Sequence, residues 1–416
     1  MSDASALPAD WEIKRLDEVS TKIQDGTHFS PTLGGNQYRY ITSRNIGTGR
    51  LRLDSVEMIS EEEHQKIYRR CDVRFGDLLL TKDGANTGNA AINTFTDEIS
   101  LLSSVAFIRT NPRKSTEGYI LQYLLSAPGK KQIADAMAGN AITRLTLAKI
   151  KALAVPMPPV SEQYRIATVL RDTDDLIATL ERMIAKKKAV KQGLIQHLLA
   201  DGDRLSGWPG SRLSELVDGL QAGVSVRSSE HAFHGVAVLK TSAVSNGRFD
   251  PTEAKPVLPA DIGRVRCNPV AGSLIISRMN TPALVGEVGY VERDYSHLYL
   301  PDRLWLARPR RSGARQTNMR WLSYYLSSES GSRAVRELAT GTSGSMKNIP
   351  KEKLLALEVP TPPPHEQDRI AETVHDMDQA IVLLNHRLSK ARSVKQGLMQ
   401  QLLTGRTRLP SKEGTA

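Results

Sequence analysis

The sequence predicts an α+β protein built from two similar mixed α/β domains, each followed by a long α-helix. The two helices are expected to pair as an antiparallel coiled coil with an internal pseudo-twofold. Three observations carry this reading. The phrase VKQGLIQHLL at Val190–Leu199 returns as VKQGLMQQLL at Val394–Leu403, with eight of ten positions identical. Around it, residues 155–205 align without a gap on residues 359–409, with 24 identities in 51 positions at an offset of 204. Upstream of each block, looser landmarks recur in the same order. A period of about 200 residues is too long for a solenoid and marks duplicated domains.

The landmarks define the layout. DWEIKRLDEV corresponds to GWPGSRLSEL, aligning Trp11 with Trp208 and Leu16 with Leu213. RCDVRFGDLLLTKDG parallels RCNPVAGSLIISRMN, which puts Cys71 and Cys267 at equivalent sites, and EGYILQYLLSAPG parallels MRWLSYYLSSESG. The expected division is a first domain at 1–155, a first helix at 156–203, a second domain at 204–359, a second helix at 360–405 and a tail at 406–416. Within the domains, YRYITSRNI, VAVLKTSAV, DLLLTK, SLIISRM and SVAFIRT read as strands. TEGYILQYLLSA and TNMRWLSYYLSS read as helices.

Pro156, Pro158 and Pro159 forbid a helix and mark a stiff exit from the first domain. Ser161 is expected to cap the first long helix, with Glu162 placing negative charge on its first turn. Ile166, Leu170, Thr173, Ile177, Leu180 and Ile184 then alternate steps of four and three, a heptad-like seam. The second copy repeats it as Ile370, Val374, Met377, Ile381, Leu384 and Leu388. Gly202 and Gly405 are placed to end the helices. A rod of roughly 55 Å, at 1.5 Å per residue, needs a partner for its stripe, and its own copy is the natural one. Val190, Leu194 and Leu198, with Val394, Leu398 and Leu402, extend the apolar surface toward the far ends and suit partner helices. Gly193 and Gly397, inside helices at a cost of about 1 kcal/mol each, suggest close approach of another backbone or a copied, tolerated residue.

Composition bounds the function. The chain has 416 residues, 40% hydrophobic content and a formal net charge of +11, and a pI near 9.5. This is enough for two or three domains and favours a polyanionic partner. No apolar run approaches the ~18–20 residues of a membrane span. MSDASALPADWEIKRL lacks a signal pattern, and the two cysteines are too few for a zinc cluster or disulfide framework. A reduced, cytoplasmic protein is expected.

Polar loops such as KDGANTGNA, AGNAITR and ATGTSGSMKN, flanked by basic residues, suit phosphates and base edges. The DNA-contact candidates are Arg44, Lys82, Asn86, Asn89, Thr143 and Arg144 in the first domain. In the second they are Lys240, Arg278, Asn280, Ser345 and Lys347. Catalytic signatures are missing. NPRK at Asn111 is not the Asn/Asp-Pro-Pro-aromatic loop of amino-group methylation. Gly129-Lys130 is followed by Lys131, and Leu124 stands where a P-loop needs its first glycine. Gly47 and Gly49 do not continue into a dinucleotide fingerprint. Glu12–Lys14 is half of a metal-nuclease signature at most. The histidines, His197 and His365 among them, have no metal spacing. Lys186–Lys188 reads as a solvated helix face or a phosphate contact. No metal ligand and no catalytic residue is assigned.

Taken together, the ordered double set of VPMPPVSEQYRIA and VPTPPPHEQDRIA, both VKQGL phrases, the Trp-x4-Leu starts and the GDLLL strand resembles the DNA-specificity subunits of Type I restriction-modification systems. The resemblance covers essentially the whole chain. It implies two target-recognition domains, each reading one half of a split, asymmetric DNA target, and helices that set the spacing and dock two modification subunits. It further implies that S-adenosylmethionine, ATP and Mg2+ serve partner chains, the restriction subunits included, and that this chain is not an enzyme. SVRSSEHAFHGVAVLK and QDGTHFSPTLGGNQYRYIT barely align, so each domain is expected to read a different half-site. A self-contained methyltransferase or nuclease, and a coiled-coil scaffold without a DNA role, are the rival readings.

Overall fold

The computed structural model describes residues 7–138, 144–199, 207–229, 235–245, 247–310, 317–341 and 346–410. It falls into two compact units, residues 1–181 with 386–416, and residues 182–385. Each long helix therefore contributes one half to each unit. The linear boundaries expected at 155 and 359 do not isolate the helices as separate modules, because each half-helix buries its seam in a different core.

In the first unit, Ser20–Asp25, Val105–Thr110, Leu78–Thr81 and Ala90–Ile92 form a four-stranded antiparallel sheet in that order. A three-stranded sheet joins Glu57–Ile59, Leu33–Ile41 and Ile99–Leu101, the last pair running parallel. Period-two geometry sends alternate side chains to opposite faces, and here both faces are covered. Leu78 and Leu80 pack with Tyr119, Ile120 and Leu124 of the helix Glu117–Leu125, whereas Leu79 packs with Ile41, Ile59 and Ile99 of the other sheet. That is why GDLLL reads as an unbroken apolar run.

The second unit repeats this plan. Val217–Ala222, Leu304–Pro309, Leu274–Ser277 and Val288–Tyr290 make its antiparallel sheet, and Ala254–Pro256, Ala237–Leu239 and Leu298–Tyr299 its smaller mixed one. Leu274 and Ile276 face Trp321, Leu322 and Leu326, while Ile275 faces Leu239, Leu298 and Leu300. Cys71 and Cys267 lie in corresponding clusters, as their alignment predicts. A ribbon of Glu12–Arg15 with Ala154–Met157, and one of Gly210–Arg212 with Glu358–Pro360, close the respective domains. Pro156 is tolerated because this two-stranded ribbon has free edges.

The long helices span Val160–Leu199 and Pro364–Leu402. The first begins before Ser161, so that residue lies inside the first turn and does not cap it. The carbonyl of Pro159 accepts from the amides of Glu162 and Gln163, and that of Pro363 from Glu366 and Gln367. Gly405 follows the second helix in left-handed geometry, φ +71°, as a terminator should; Gly202 lies outside the described residues. The repeated glutamine locks each helix to its domain. Gln163 Oε1 accepts from the Thr116 amide at 3.0 Å, and Gln367 Oε1 from the Asn318 amide at 2.9 Å. Glu162 is 1% exposed. It accepts two bonds from Arg408, both 2.6 Å, and one from Trp11 Nε1 at 3.3 Å. Arg408 also grips Asp10 through two bonds of 2.8 Å, so residues 406–410 are tied into the first unit.

Most of the seam positions are shielded from solvent. Ile166, Leu170, Leu180, Ile184, Ile370, Val374, Ile381, Leu384 and Leu388 are buried. Ile177 is half-buried, as are Thr173 and Met377. Ion pairs accompany the seam. Lys395 Nζ lies 2.6 Å from Asp174 and Arg392 2.8 Å from Glu181 in the first unit. Lys191 lies 2.7 Å from Asp378 in the second. The continuation of the stripe needs correction: Leu398 and Leu402 pack on the first unit's core, and Leu194 and Leu198 on the second's. Of those six residues, Val190 and Val394 stay exposed.

Of the two readings of Gly193 and Gly397, the copied, tolerated residue is the one that fits. A Cβ added at either meets nothing within 4 Å, so no close backbone approach among the described residues explains them. Both sit in helix interiors, and Gly193→Ala and Gly397→Ala should each stabilise the isolated chain by up to about 1 kcal/mol. Denaturant titration checks this; a loss of stability would mean that the added methyl meets an obstacle.

Candidate nucleic-acid interface

The first-unit candidates gather around the loop that follows the strand Leu78–Thr81. Lys82, which directly follows that strand, is 5% exposed, and its ammonium lies 3.3 Å from the buried carboxylate of Asp25. Asp25 also receives Arg70 at 3.3 Å and His28 at 3.4 Å. Lys82 is thus an internal counter-ion and cannot reach a phosphate from this position. Its backbone is equally committed: the amide donates to Ser104 O at 2.9 Å, and the carbonyl accepts from Leu145 N at 3.0 Å. A basic residue beside a polar loop reads as surface in sequence; here the acidic partner comes from the end of a distant strand, Ser20–Asp25.

The rest of that group is nearer the surface. Arg144 is exposed and holds Asp83 at 3.1 Å. Arg44 is exposed on the short 3-10 turn Ser43–Asn45, capped by Thr42. Asn86 and Asn89 are half-buried. The Asn89 amide is used internally, donating to Ile46 O at 3.3 Å and accepting from Thr48 at 3.4 Å. Arg44, Asp83 and Gly84 border one cleft of about 420 Å³, which brings the Arg44 turn and the Arg144-bound loop to a common rim. Thr143 lies outside the described residues.

In the second unit, Arg278, Asn280 and Lys347 come together. Met279–Asn280 pairs with Lys347–Asn348, with Asn280 opposite Lys347. Arg278 is half-buried, donates to Asn348 Oδ1 at 3.3 Å and lies over the Trp305 ring at 5.2 Å. Lys347 Nζ donates to Gly341 O at 2.6 Å, an exposed bond that a phosphate can replace. Asn280 is 8% exposed and hydrogen-bonds Ser277, so it supports the turn instead of facing outward. Lys240 lies 3.7 Å from Glu253. Ser345 lies outside the described residues.

Two features of sequence chemistry acquire definite roles. Burial pushes the Cys71 thiol up to about 12 and the Cys267 thiol up to about 11, so both stay protonated and unreactive at neutral pH. Among the described residues, no group of three or more His, Cys, Asp or Glu side chains could hold a metal ion, and no helix is long and apolar enough to cross a membrane. The residues missed by sequence reading are Asp174 and Asp378. Their signal was available, since both sit at the same place in the repeat, as do their partners Lys395 and Lys191.

Comparison with known proteins places the chain in a family. The chain matches the family described as "Type I restriction modification DNA specificity domain" twice, over residues 8–191 and 206–392. A putative type I restriction enzyme MjaX specificity subunit from Methanocaldococcus jannaschii is 25% identical over 433 residues, spanning 98% of this chain and 96% of that protein. The MjaVIII specificity subunit from the same organism is 24% identical over 424 residues, spanning 97% and 94%. The crystal structure of the Type-I restriction-modification S subunit from M. genitalium shares the fold with a TM-score of 0.60 at 13% identity, covering 97% of this chain and 98% of that one. The chain therefore belongs to the Type I restriction-modification specificity family. Within it, it is a DNA specificity subunit with two copies of the family's domain.

Removing the Lys82 ammonium should leave Asp25 buried with only its exposed partners. Lys82→Met is expected to lower stability by about 1–3 kcal/mol, read by denaturant titration, with no change in the salt dependence of DNA affinity. A reduced salt slope at unchanged stability would return Lys82 to the phosphate contacts.

Proposed function

We propose that this chain is the non-catalytic, sequence-reading component of a Type I restriction-modification complex, with each domain reading one half of a bipartite, asymmetric double-stranded DNA target. The observation that carries this is a duplicated scaffold whose polar loops have diverged. Two equivalent folds present unlike residues at the candidate positions, Arg44 and Arg144 in one and Arg278 and Lys347 in the other. A net charge of +11 suits the phosphate backbone.

On this reading the long helices pair antiparallel as a coiled coil, related by a pseudo-twofold, and act as a spacer. Support comes from the ion pairs: as numbering rises from Arg392 to Lys395, the partner number falls from Glu181 to Asp174. The pair Lys191–Asp378 is the repeat equivalent of Lys395–Asp174, since Lys191 aligns with Lys395 and Asp378 with Asp174. Two modification subunits would dock on the helices, and restriction subunits would join them in the cytoplasm. With four of the six expected docking residues packed internally, the exposed apolar side chains that suit partner helices are Tyr164, Leu176 and Val394 in the first unit. In the second they are Met183, Val190, Val382 and Leu383. Methyl transfer from S-adenosylmethionine, ATP use and Mg2+ chemistry then belong to those partners.

Exchanging residues 12–155 for those of a relative should change one half of the target and leave the other intact. Methylation mapping of the assembled complex reads the outcome, and a change in both halves would break the one-domain, one-half assignment. The spacer is tested separately by inserting four helix-forming residues between Ile177 and Ile184. They add roughly 6 Å of rise and ~40° beyond a full turn, against ~3.4 Å and ~34–36° per DNA base pair. The unspecified gap should grow by one base pair, or two, with both half-sites unchanged. Inserting two residues rotates the seam by about 200° and should abolish activity. Full activity with an unchanged gap after the four-residue insertion would sink the spacer role.

A further inference from the structure

The cleft of about 420 Å³ in the first unit has a chemistry that the candidate residues do not explain. Six buried polar side-chain atoms among the described residues lack a hydrogen-bond partner, and two of them, Tyr40 Oη and Ser104 Oγ, belong to residues lining this cleft. Tyr40 is 4% exposed. Burial, with Glu57 nearby, pushes its phenol up to about 12, so it keeps its proton and remains a donor. An orphaned buried hydroxyl costs free energy in the unbound protein, and a ligand edge that pairs with it recovers that cost. Thr42, Arg44 and Asp83 line the same cleft.

The duplicated fold supplies an internal comparison for this cleft. Backbone bonds fix the correspondence between the units. Lys82 N donates to Ser104 O at 2.9 Å, and Arg278 N donates to Arg303 O at 3.0 Å, so Ser104 corresponds to Arg303. The parallel registers Arg39–Ile99 and Ala237–Leu298 make Tyr40 the counterpart of Val238. Thr42 and Lys240 each precede the 3-10 turn that follows. The same backbone thus carries Tyr, Thr and Ser in the first unit where the second carries Val, Lys and Arg. Val238 is buried in an apolar cluster with Val257 and Val265, and Arg303 is exposed. The scaffold is preserved while the side chains change in hydrogen-bonding character at each of these positions.

We propose that this cleft is the specificity-determining site of the first unit, where Tyr40 and Ser104 hydrogen-bond the edge of one base of the first half-site. Val238, Lys240 and Arg303 form the corresponding, differently selective site of the second unit. The inference rests on the bipartite-reading assignment above and names residues that it leaves open. A hydroxyl that can both donate and accept rejects a base edge lacking the matching group.

The test is methylation of a randomised DNA library by the complex assembled with its modification subunits, carrying Tyr40→Phe, Ser104→Ala or Arg303→Ala. Tyr40→Phe removes an unpartnered atom and preserves shape, so its melting temperature should match or exceed that of the parent. With Tyr40→Phe or Ser104→Ala, discrimination at one position of the first half-site should fall by about tenfold, with the second half unchanged. Arg303→Ala should act on the second half alone. Unchanged discrimination for both Tyr40→Phe and Ser104→Ala, in a system where exchanging residues 12–155 does alter one half, overturns the cleft assignment and leaves bipartite reading intact. If that exchange alters neither half, bipartite reading itself fails.

Discussion

Lys395 reaches Asp174 at 2.6 Å in the first unit, and Lys191 reaches Asp378 at 2.7 Å in the second. A heptad seam of Ile, Leu and Val is nearly indifferent to sliding by one repeat, because apolar contacts are non-directional. A half-buried ammonium is not indifferent: displaced by one heptad, it loses its carboxylate and keeps its desolvation cost. Gln122 adds a bond to Asp174 at 3.0 Å, and Tyr324 adds one to Asp378 at 3.2 Å. Each pair is thereby tied to its own domain as well as to the helices. The lysine of VKQGL recurs because the aspartate it meets recurs, and the two together set which stretch of helix serves which domain.

The glutamine that opens each helix, and the glutamate that opens the first, extend the same constraint. Gln163 and Gln367 bind the start of the helix that packs under each main sheet, so the rod cannot swivel against the domain it leaves. Glu162, held by Arg408 and Trp11, fastens the end of the second helix to the beginning of the first. Residues shared by the two copies are thus those that fix rods to domains. Residues that differ, such as Tyr40 against Val238 or Ser104 against Arg303, occupy equivalent backbone positions and, on the proposed reading, are where two different sequences are told apart. Duplication with selective divergence is a direct route to a reader of two unlike half-sites.

Much of this was legible in the sequence. The constant offset between the copies revealed the double architecture, period-two and heptad patterns revealed the strands and the seam, and aligned landmarks placed the cysteines in corresponding cores. What stayed hidden depends on long-range partners. Lys82 looks like a surface cation until Asp25 is folded against it, and Asn280 looks exposed until Ser277 and the Lys347 strand cover it. Leu194, Leu198, Leu398 and Leu402 continue an apolar stripe whether the cover is another protein or this chain's own domains, and periodicity cannot say which. Tyr40 and Ser104 lie far apart along the chain in segments with no motif, so no local pattern joins them.

The central claim is that two unlike readers are held at a fixed separation by paired rods. Single-molecule sequencing of DNA modified by the reconstituted complex addresses it in one measurement. The account predicts a bipartite motif with two dissimilar halves, separated by a gap of constant length that places them about one helical turn apart, ~34 Å. A continuous motif, a palindromic one, or a gap that varies from site to site would contradict it.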